Sequence, residues 1–229
     1  MTLFQKWCDH LWLYFNYALG ALMLCVLVWN WNDWGMAQKL ICMLAIAIPI
    51  HNFEEYSYPA GFFFMNNISA FSKNPMLYPQ NTISTMVTNT GAELFIVALT
   101  FAAPHIGLPL VVMVIMFGYA ETFVHVLDGI IMWVRYRPVA KKSIYAPGLI
   151  TCLFVFCPLS TAALRWFTMQ PFATSDILMG IGLVAIVMVC FIGIPFGFVF
   201  KFHPERYAMS GGLGYFKKYE EELAGTKDE

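Results

Sequence analysis

Six long stretches of the chain are dominated by apolar residues: 11–29, 36–56, 82–103, 107–134, 144–167 and 177–200. At about 1.5 Å of rise per residue, a helix over each can cross a hydrocarbon core of ~30 Å, some of them with tilt. Polar connections separate them, and prolines at 49, 104, 109, 147, 158, 171 and 195 mark ends or kinks. Trp7, Trp12, Trp29, Trp31 and Trp34 gather at the two ends of the first stretch, as an interfacial aromatic belt does. The pattern predicts an all-α fold: a polytopic transmembrane helical bundle of six spans, a single domain over residues 1–229 with a short, solvated polar tail at 203–229. The longest connection, residues 57–81, is aromatic and proline-bearing and reads either as a flap in the interface or as a surface loop.

Composition strengthens this picture. Apolar residues make up 59% of the chain and charged ones only 12%, against about 25% charged in soluble domains. A net charge of −1 gives no signal for nucleic acid. Six spans place eleven Lys and Arg residues on one side of the membrane, and only Lys39 and Arg165 on the other. By the positive-inside rule both termini are expected to be cytoplasmic. The N-terminal segment lacks a small-residue cleavage site and reads as a retained first span. Five of the six cysteines sit in apolar runs and no CxxC occurs, so no disulfide framework is expected.

Ionisable residues inside the spans are the candidate chemistry, because each is costly in lipid unless partnered. The second span ends with His51, Glu54 and Glu55; the third holds Asn89 and Glu93; the fourth holds Glu121, His125 and Asp128. At 100° per residue, Glu121, His125 and Asp128 fall within about 60° on one helix face. His51 and Glu55 stack at i, i+4, and so do Asn89 and Glu93. Antiparallel neighbours bring all of them to a similar depth in the cytoplasmic half. Five carboxylates and two histidines with no Lys or Arg among them cannot all carry bare charge, so they hold either protons or cations. One or two divalent metal ions, iron or manganese rather than zinc, would match an oxygen-rich set with two imidazoles. The bland reading ends the second span at the interface with Glu54 and Glu55, and makes His125 a hydrogen-bonded packing residue. His10, His105 and His203 read as bystanders.

The motifs "HNFEE" (51–55), "GAE" (91–93), "HVLD" (125–128) and "YAPGLIT" (145–151) together resemble the HXXEE family of bacterial membrane proteins, over roughly residues 40–165. Gly91 stands where the family's second motif has asparagine. Gly129 stands where its later motif often has a second histidine. The resemblance implies a multispan helical protein of the bacterial cytoplasmic membrane, with no settled activity.

Three functions follow as expectations. The first is a metal-dependent membrane enzyme acting on a lipid or other hydrophobic small molecule, with His51, Glu54, Glu55, Glu93, Glu121, His125 and Asp128 as ligands and His51, Glu55 and Glu93 as catalytic groups. A dimetal site would oxidise, whereas a single zinc would hydrolyse. The second is a metal-free acid–base isomerase, since His51-x-x-x-Glu55 followed by aromatics resembles sterol-isomerase-like membrane proteins. The third is an ion or small-molecule transporter, although no internal repeat of the usual kind is present.

Overall fold

The computed structural model describes residues 2–202, 205–209 and 212–225; His203 lies outside the described residues. Among those residues there are helices and no strands. Six helices are long and apolar enough to span a membrane: α1 (Leu3–Trp29), α2 (Met36–Ser57), α4 (Thr82–Ile106), α5 (Leu108–Val139), α6 (Leu149–Phe167) and α7 (Thr174–Val199). Two shorter ones complete the set, α3 (Phe62–Ser69) and α8 (Lys217–Gly225). The chain is a multi-pass integral membrane protein with the expected number of spans.

Local signals explain the ends. Helix α1 starts eight residues earlier than its apolar run. Thr2 caps it, accepting from the Gln5 N–H at 3.2 Å, while the Gln5 side chain accepts from the Thr2 N–H at 2.7 Å; such a reciprocal box fixes a helix start. Asn81 and Ser84 form the same device at the start of α4. Helix α6 begins five residues later than expected, after Gly148 at φ +93°. That left-handed conformation is one that glycine adopts without strain.

Helix α2 is the central span. It packs against α1, α4 and α5, and 61% of its apolar window is buried, against 11% for α7. Leu40, Ile41, Leu44, Ala45 and Ile48 carry its core face, meeting Met23 of α1, Ile96 of α4 and Val111 of α5. Gly20 of α1 lies so close to Pro49 that an added methyl would meet its ring at 2.8 Å. Large apolar side chains such as Phe101, Phe123, Phe154 and Leu178 point outward, as lipid contact requires.

The 57–81 connection is a folded cover. Helix α3 buries Phe63, Phe64 and Met65 against Met132 and Tyr136 of α5. Asn67 ties the rest of the connection back on it, donating to the carbonyls of Pro75 and Gln80 at 2.8 Å and accepting from the Gln80 N–H at 2.8 Å.

The tail departs from the expected solvated end. Tyr136 is stacked between Phe216 and Tyr219. Arg135 donates to Glu220 at 2.8 and 3.1 Å, and the Tyr136 hydroxyl donates to the same carboxylate. Phe4 at the start of α1 meets Tyr207 edge to face, beyond the end of α7. The charge run at 217–222 concealed an aromatic stripe, Tyr215, Phe216 and Tyr219, that carries the docking. Lys141 is buried beneath this stripe, donating to the Tyr145 carbonyl at 2.5 Å and lying over the Tyr215 ring at 4.8 Å. Burial, and after it the Lys218 charge, brings the Lys141 ammonium from 10.5 down to about 8.

Two outcomes test this docking. Glu220→Ala leaves Arg135 and Tyr136 without their shared acceptor, so limited trypsin cleavage at Lys217 and Lys218 is expected to accelerate several-fold over wild type. Because the folded chain gives up the Lys141 proton before the unfolded one does, stability rises with pH from about 8 to about 10.4. The increase in Tm over that window is expected to shrink in Lys141→Met.

Candidate functional site

The end of α2 widens into a π-helical turn over Phe53–Ser57. Glu54 and Glu55, adjacent in sequence and both buried, leave this turn toward different partners.

Glu54 closes the start of α6. Its Oε2 accepts from the Thr151 N–H and the Thr151 hydroxyl, both at 2.8 Å. Its Oε1 accepts from the Ile150 N–H at 3.2 Å and the Tyr145 hydroxyl at 3.3 Å. A carboxylate here satisfies backbone donors that a helix leaves unpaired and complements the positive end of the helix. Burial first, then the Glu54 charge, pushes the Tyr145 hydroxyl above its ordinary range, so that it remains a donor. With four protein donors, Glu54 serves as a cap and has little capacity left for a metal.

Glu55 turns to the histidines. Its Oε1 lies 3.2 Å from His51 Nε2 and 3.3 Å from His125 Nε2. The two rings meet edge to face at 4.8 Å. Glu121 Oε2 stands 3.8 Å from His125 Nε2, with its side chain 27% exposed. Two helices, α2 and α5, thus build one cluster, of which His51, Glu55 and His125 are buried.

Both rings are fixed from behind. His51 Nδ1 is 2.7 Å from Thr151 Oγ1. That hydroxyl has one proton, and the Glu54 carboxylate is its best acceptor. Oγ1 therefore accepts from His51 Nδ1–H, and the Nε2 lone pair faces Glu55. Phe62 of α3 stacks on His125 at 5.1 Å. On Gly148 a methyl group would fall 2.1 Å from His125 Cε1, so only glycine admits the ring there. His125 Nδ1 has no partner, and Nε2 approaches Glu55 at 3.3 Å without a well-aligned hydrogen bond. A proton or a cation between the ring nitrogen and the carboxylate meets the need of both.

A divalent ion fits that need. Ligands about 2.0–2.2 Å from a tetrahedral metal stand about 3.3–3.6 Å apart, near the distances from Glu55 Oε1 to His51 Nε2 and to His125 Nε2. Glu121 Oε2, 3.8 Å from His125 Nε2 and partly exposed, stands beside the ion's position rather than in it, so this ligand expected from the sequence falls outside the inner set. The Thr151 contact is the outer support that ligating histidines commonly have. Cys152 forms an alternative triad with the two histidines, all ligand atoms within 4.8 Å. Its Sγ, however, lies 4.0 Å from Nδ1 of His51, the nitrogen already bound to Thr151.

The other predicted residues stand outside these close contacts. Glu93 is fully buried in α4 with no partner for either oxygen; it lies within electrostatic reach of Cys42, and among the described residues no hydrogen bond or ion pair joins it to the histidines. Asp128 faces Ser69 of α3 and lies within electrostatic reach of His125 and Glu55. Asn89 donates to the Tyr56 hydroxyl at 3.3 Å and to the Thr85 carbonyl at 2.9 Å. His10 pairs with Asp9 at 3.1 Å, away from the cluster.

A cavity of about 270 Å³ opens beside the cluster. His51, Glu55 and Glu121 sit in its wall together with Asn52, Gln80 and Asn89, while Val187, Met188, Ile192 and Phe196 of α7 form the facing side. Glu55 and Tyr56 also line a second, smaller cavity of about 110 Å³, whose wall includes Asp9, Thr82 and Thr85. Sequence reasoning missed Phe62, Asn52 and Gln80, and it had Tyr145, Gly148 and Thr151 only as members of the "YAPGLIT" motif, without a role. The Pro-Gly pair before a helix was the available signal for Gly148.

The two glutamates are expected to behave differently. In Glu54→Gln the amide cannot accept all four hydrogen bonds, which costs on the order of 1–3 kcal/mol. Thermal unfolding in detergent should show a larger loss of Tm for Glu54→Gln than for Glu55→Gln.

No curated protein and no solved structure matches the chain. The family model for proteins of unknown function with an HXXEE motif matches residues 42–163, a span that includes every member of the histidine–glutamate cluster. With more than half of its length matched, the chain belongs to the HXXEE family.

Proposed function

We propose that this protein is a membrane-embedded, metal-dependent hydrolase that cleaves an ester or amide bond in a hydrophobic small molecule. It would lie in a bacterial cytoplasmic membrane with both termini in the cytoplasm, as the basic residues favour. The observation that carries this reading is the convergence of His51 Nε2 and His125 Nε2 on one oxygen of Glu55, buried in the wall of a cavity with an apolar far side.

One divalent ion is favoured over two. Glu54 is committed to the start of α6, and no hydrogen bond or ion pair joins Glu93 to the histidines. The dimetal arrangement that would favour oxidation therefore loses two of its carboxylates. Zinc, iron and manganese all suit two imidazoles with one carboxylate and an open position for water. When bound, the ion supplies Lewis acidity, polarising a carbonyl and making water acidic enough to deprotonate near neutral pH.

The chain's own groups do the rest. His51 and His125 are held rigidly by Thr151, Phe62 and Gly148. Glu121, partly exposed at the cavity wall, takes the proton of the attacking water and returns it to the leaving oxygen or nitrogen as the acyl bond breaks. The smaller cavity, which shares Glu55 with the larger one and has Asp9 and Thr82 in its wall, offers the space for water beside the cluster. Helix α3 covers the cluster and limits its contact with bulk water.

A second reading rests on the same geometry. Without metal, Glu55 between two imidazoles is a proton relay beside an apolar wall, which suits double-bond isomerisation.

Metal analysis by mass spectrometry of the full chain, purified without chelator, separates these readings. The expected result is about one zinc, iron or manganese ion per chain, kept in Glu93→Gln and lost in His125→Ala. Chelation should lower Tm, and adding the metal back should restore it. A metal-free wild type removes the hydrolase reading in favour of the relay, and metal lost in Glu93→Gln contradicts the ligand assignment.

A further inference from the structure

The cavity beside the cluster has an unusual polar end. Asn52, Asn66, Gln80 and Asn89 all line it, joined by Thr88. Several of their polar atoms have nothing to bond. Asn52, 1% exposed, has no partner for Nδ2 or Oδ1; Gln80, 2% exposed, has none for Oε1; Thr88 has none for its hydroxyl. Each such atom costs about 1–3 kcal/mol when left unmet in the interior. Residues that border an open space and hold unmet donors and acceptors favour a ligand that brings complementary groups to them.

The character of that group can be read from the lining. No Lys or Arg borders the cavity, whereas Glu55 and Glu121 do. In the metal-free chain an anionic head such as a phosphate finds no counter-charge among the lining side chains and meets two carboxylates. Amides and a hydroxyl instead match hydroxyl, carbonyl and amide groups, which offer both donors and acceptors. The opposite wall is α7, whose Val187, Met188 and Ile192 lie in a π-helical segment, Val187–Gly193. Met188 is 51% exposed, so this wall borders the lipid directly. At about 270 Å³, the cavity falls just under the usual range for small-molecule sites, about 300–1,000 Å³. It suits one chain, or one end of a chain, rather than a two-chain lipid.

We infer that the cavity binds a neutral, single-chain amphiphile, its hydroxyl- or carbonyl-bearing head on Asn52, Gln80 and Thr88 and its apolar chain along α7. This deepens the hydrolase reading by naming its substrate class, and it rests on that reading only for the bond that is cleaved. The head lies beside Glu55 and Glu121, where an acyl bond next to the head would meet the cluster. The amides select by hydrogen bonding, which penalises a ligand that leaves them unmatched.

The test uses the full chain in phosphatidylcholine nanodiscs, stripped with chelator so that nothing is turned over. The probe is a diazirine-bearing monoacylglycerol, with labelled peptides mapped by mass spectrometry. Labelling is expected on the Val187–Ile192 peptide. Lauroyl glycerol should compete at least about tenfold better than dodecyl phosphate or dodecyltrimethylammonium. Asn52→Leu should cut the labelling several-fold while keeping or raising Tm, because an unpartnered amide gives way to an apolar group of similar size. That stability readout separates lost binding from lost folding, and Gln80→Met serves as the second variant. Equal competition by dodecyl phosphate, labelling spread over outward faces, or labelling unchanged in Asn52→Leu would each overturn the inference. His125→Ala is expected to lose metal yet keep its labelling, so failure of the metal assignment and failure of this one remain distinguishable.

Discussion

The hydrogen bonding of one buried carboxylate holds the site together. Glu54 accepts from Tyr145, from the backbone of Ile150 and twice from Thr151, which fastens the end of α2 to the beginning of α6. Everything nearby follows from that junction. Thr151, turned toward Glu54, accepts from His51 and sets its tautomer. Gly148, at the turn into α6, leaves room for the ring of His125. Glu55, one residue on, is free to point at both imidazoles because its neighbour has taken the structural task. A buried carboxylate is expensive in a membrane unless its lone pairs are used, and here one glutamate uses them on a helix end while the next uses them on the cluster.

Helical irregularity contributes to the same place. The π-helical segments Phe53–Ser57, Cys152–Phe156 and Val187–Gly193 each send residues to the cavity wall. An inserted residue breaks the regular ladder and turns side chains off the face that the rest of the helix presents; such bulges recur at functional sites. The three belong to α2, α6 and α7, so the cavity lies where otherwise regular spans are locally widened.

Much of this was legible in the chain. Hydrophobic runs gave six spans, because length and apolarity are what a bilayer demands. Spacing gave the shared face of Glu121 and His125 and the stacking of His51 on Glu55, because both are properties of a single helix. Periodicity could not say which helices touch. Glu93 illustrates this: its depth matched, yet no hydrogen bond or ion pair joins it to the histidines. Glu54 was a candidate ligand by composition, and only the arrival of α6 made it a cap. Asn52 stood inside the "HNFEE" motif without drawing notice, since an asparagine beside a histidine and two glutamates carries no charge to account for. The tail was misread for a related reason: its lysines and glutamates hid three aromatics at docking spacing.

The central claim is that two imidazole Nε2 atoms and carboxylate oxygen, without sulfur, surround one ion. X-ray absorption at the metal edge of the purified, metal-replete protein addresses it most directly. The account predicts a shell of nitrogen and oxygen at about 2.0–2.2 Å with the outer scattering of two imidazoles. A sulfur shell at about 2.3 Å would move the site to Cys152, and an absorption edge with fewer than two imidazoles would contradict the convergence of His51 and His125 on Glu55.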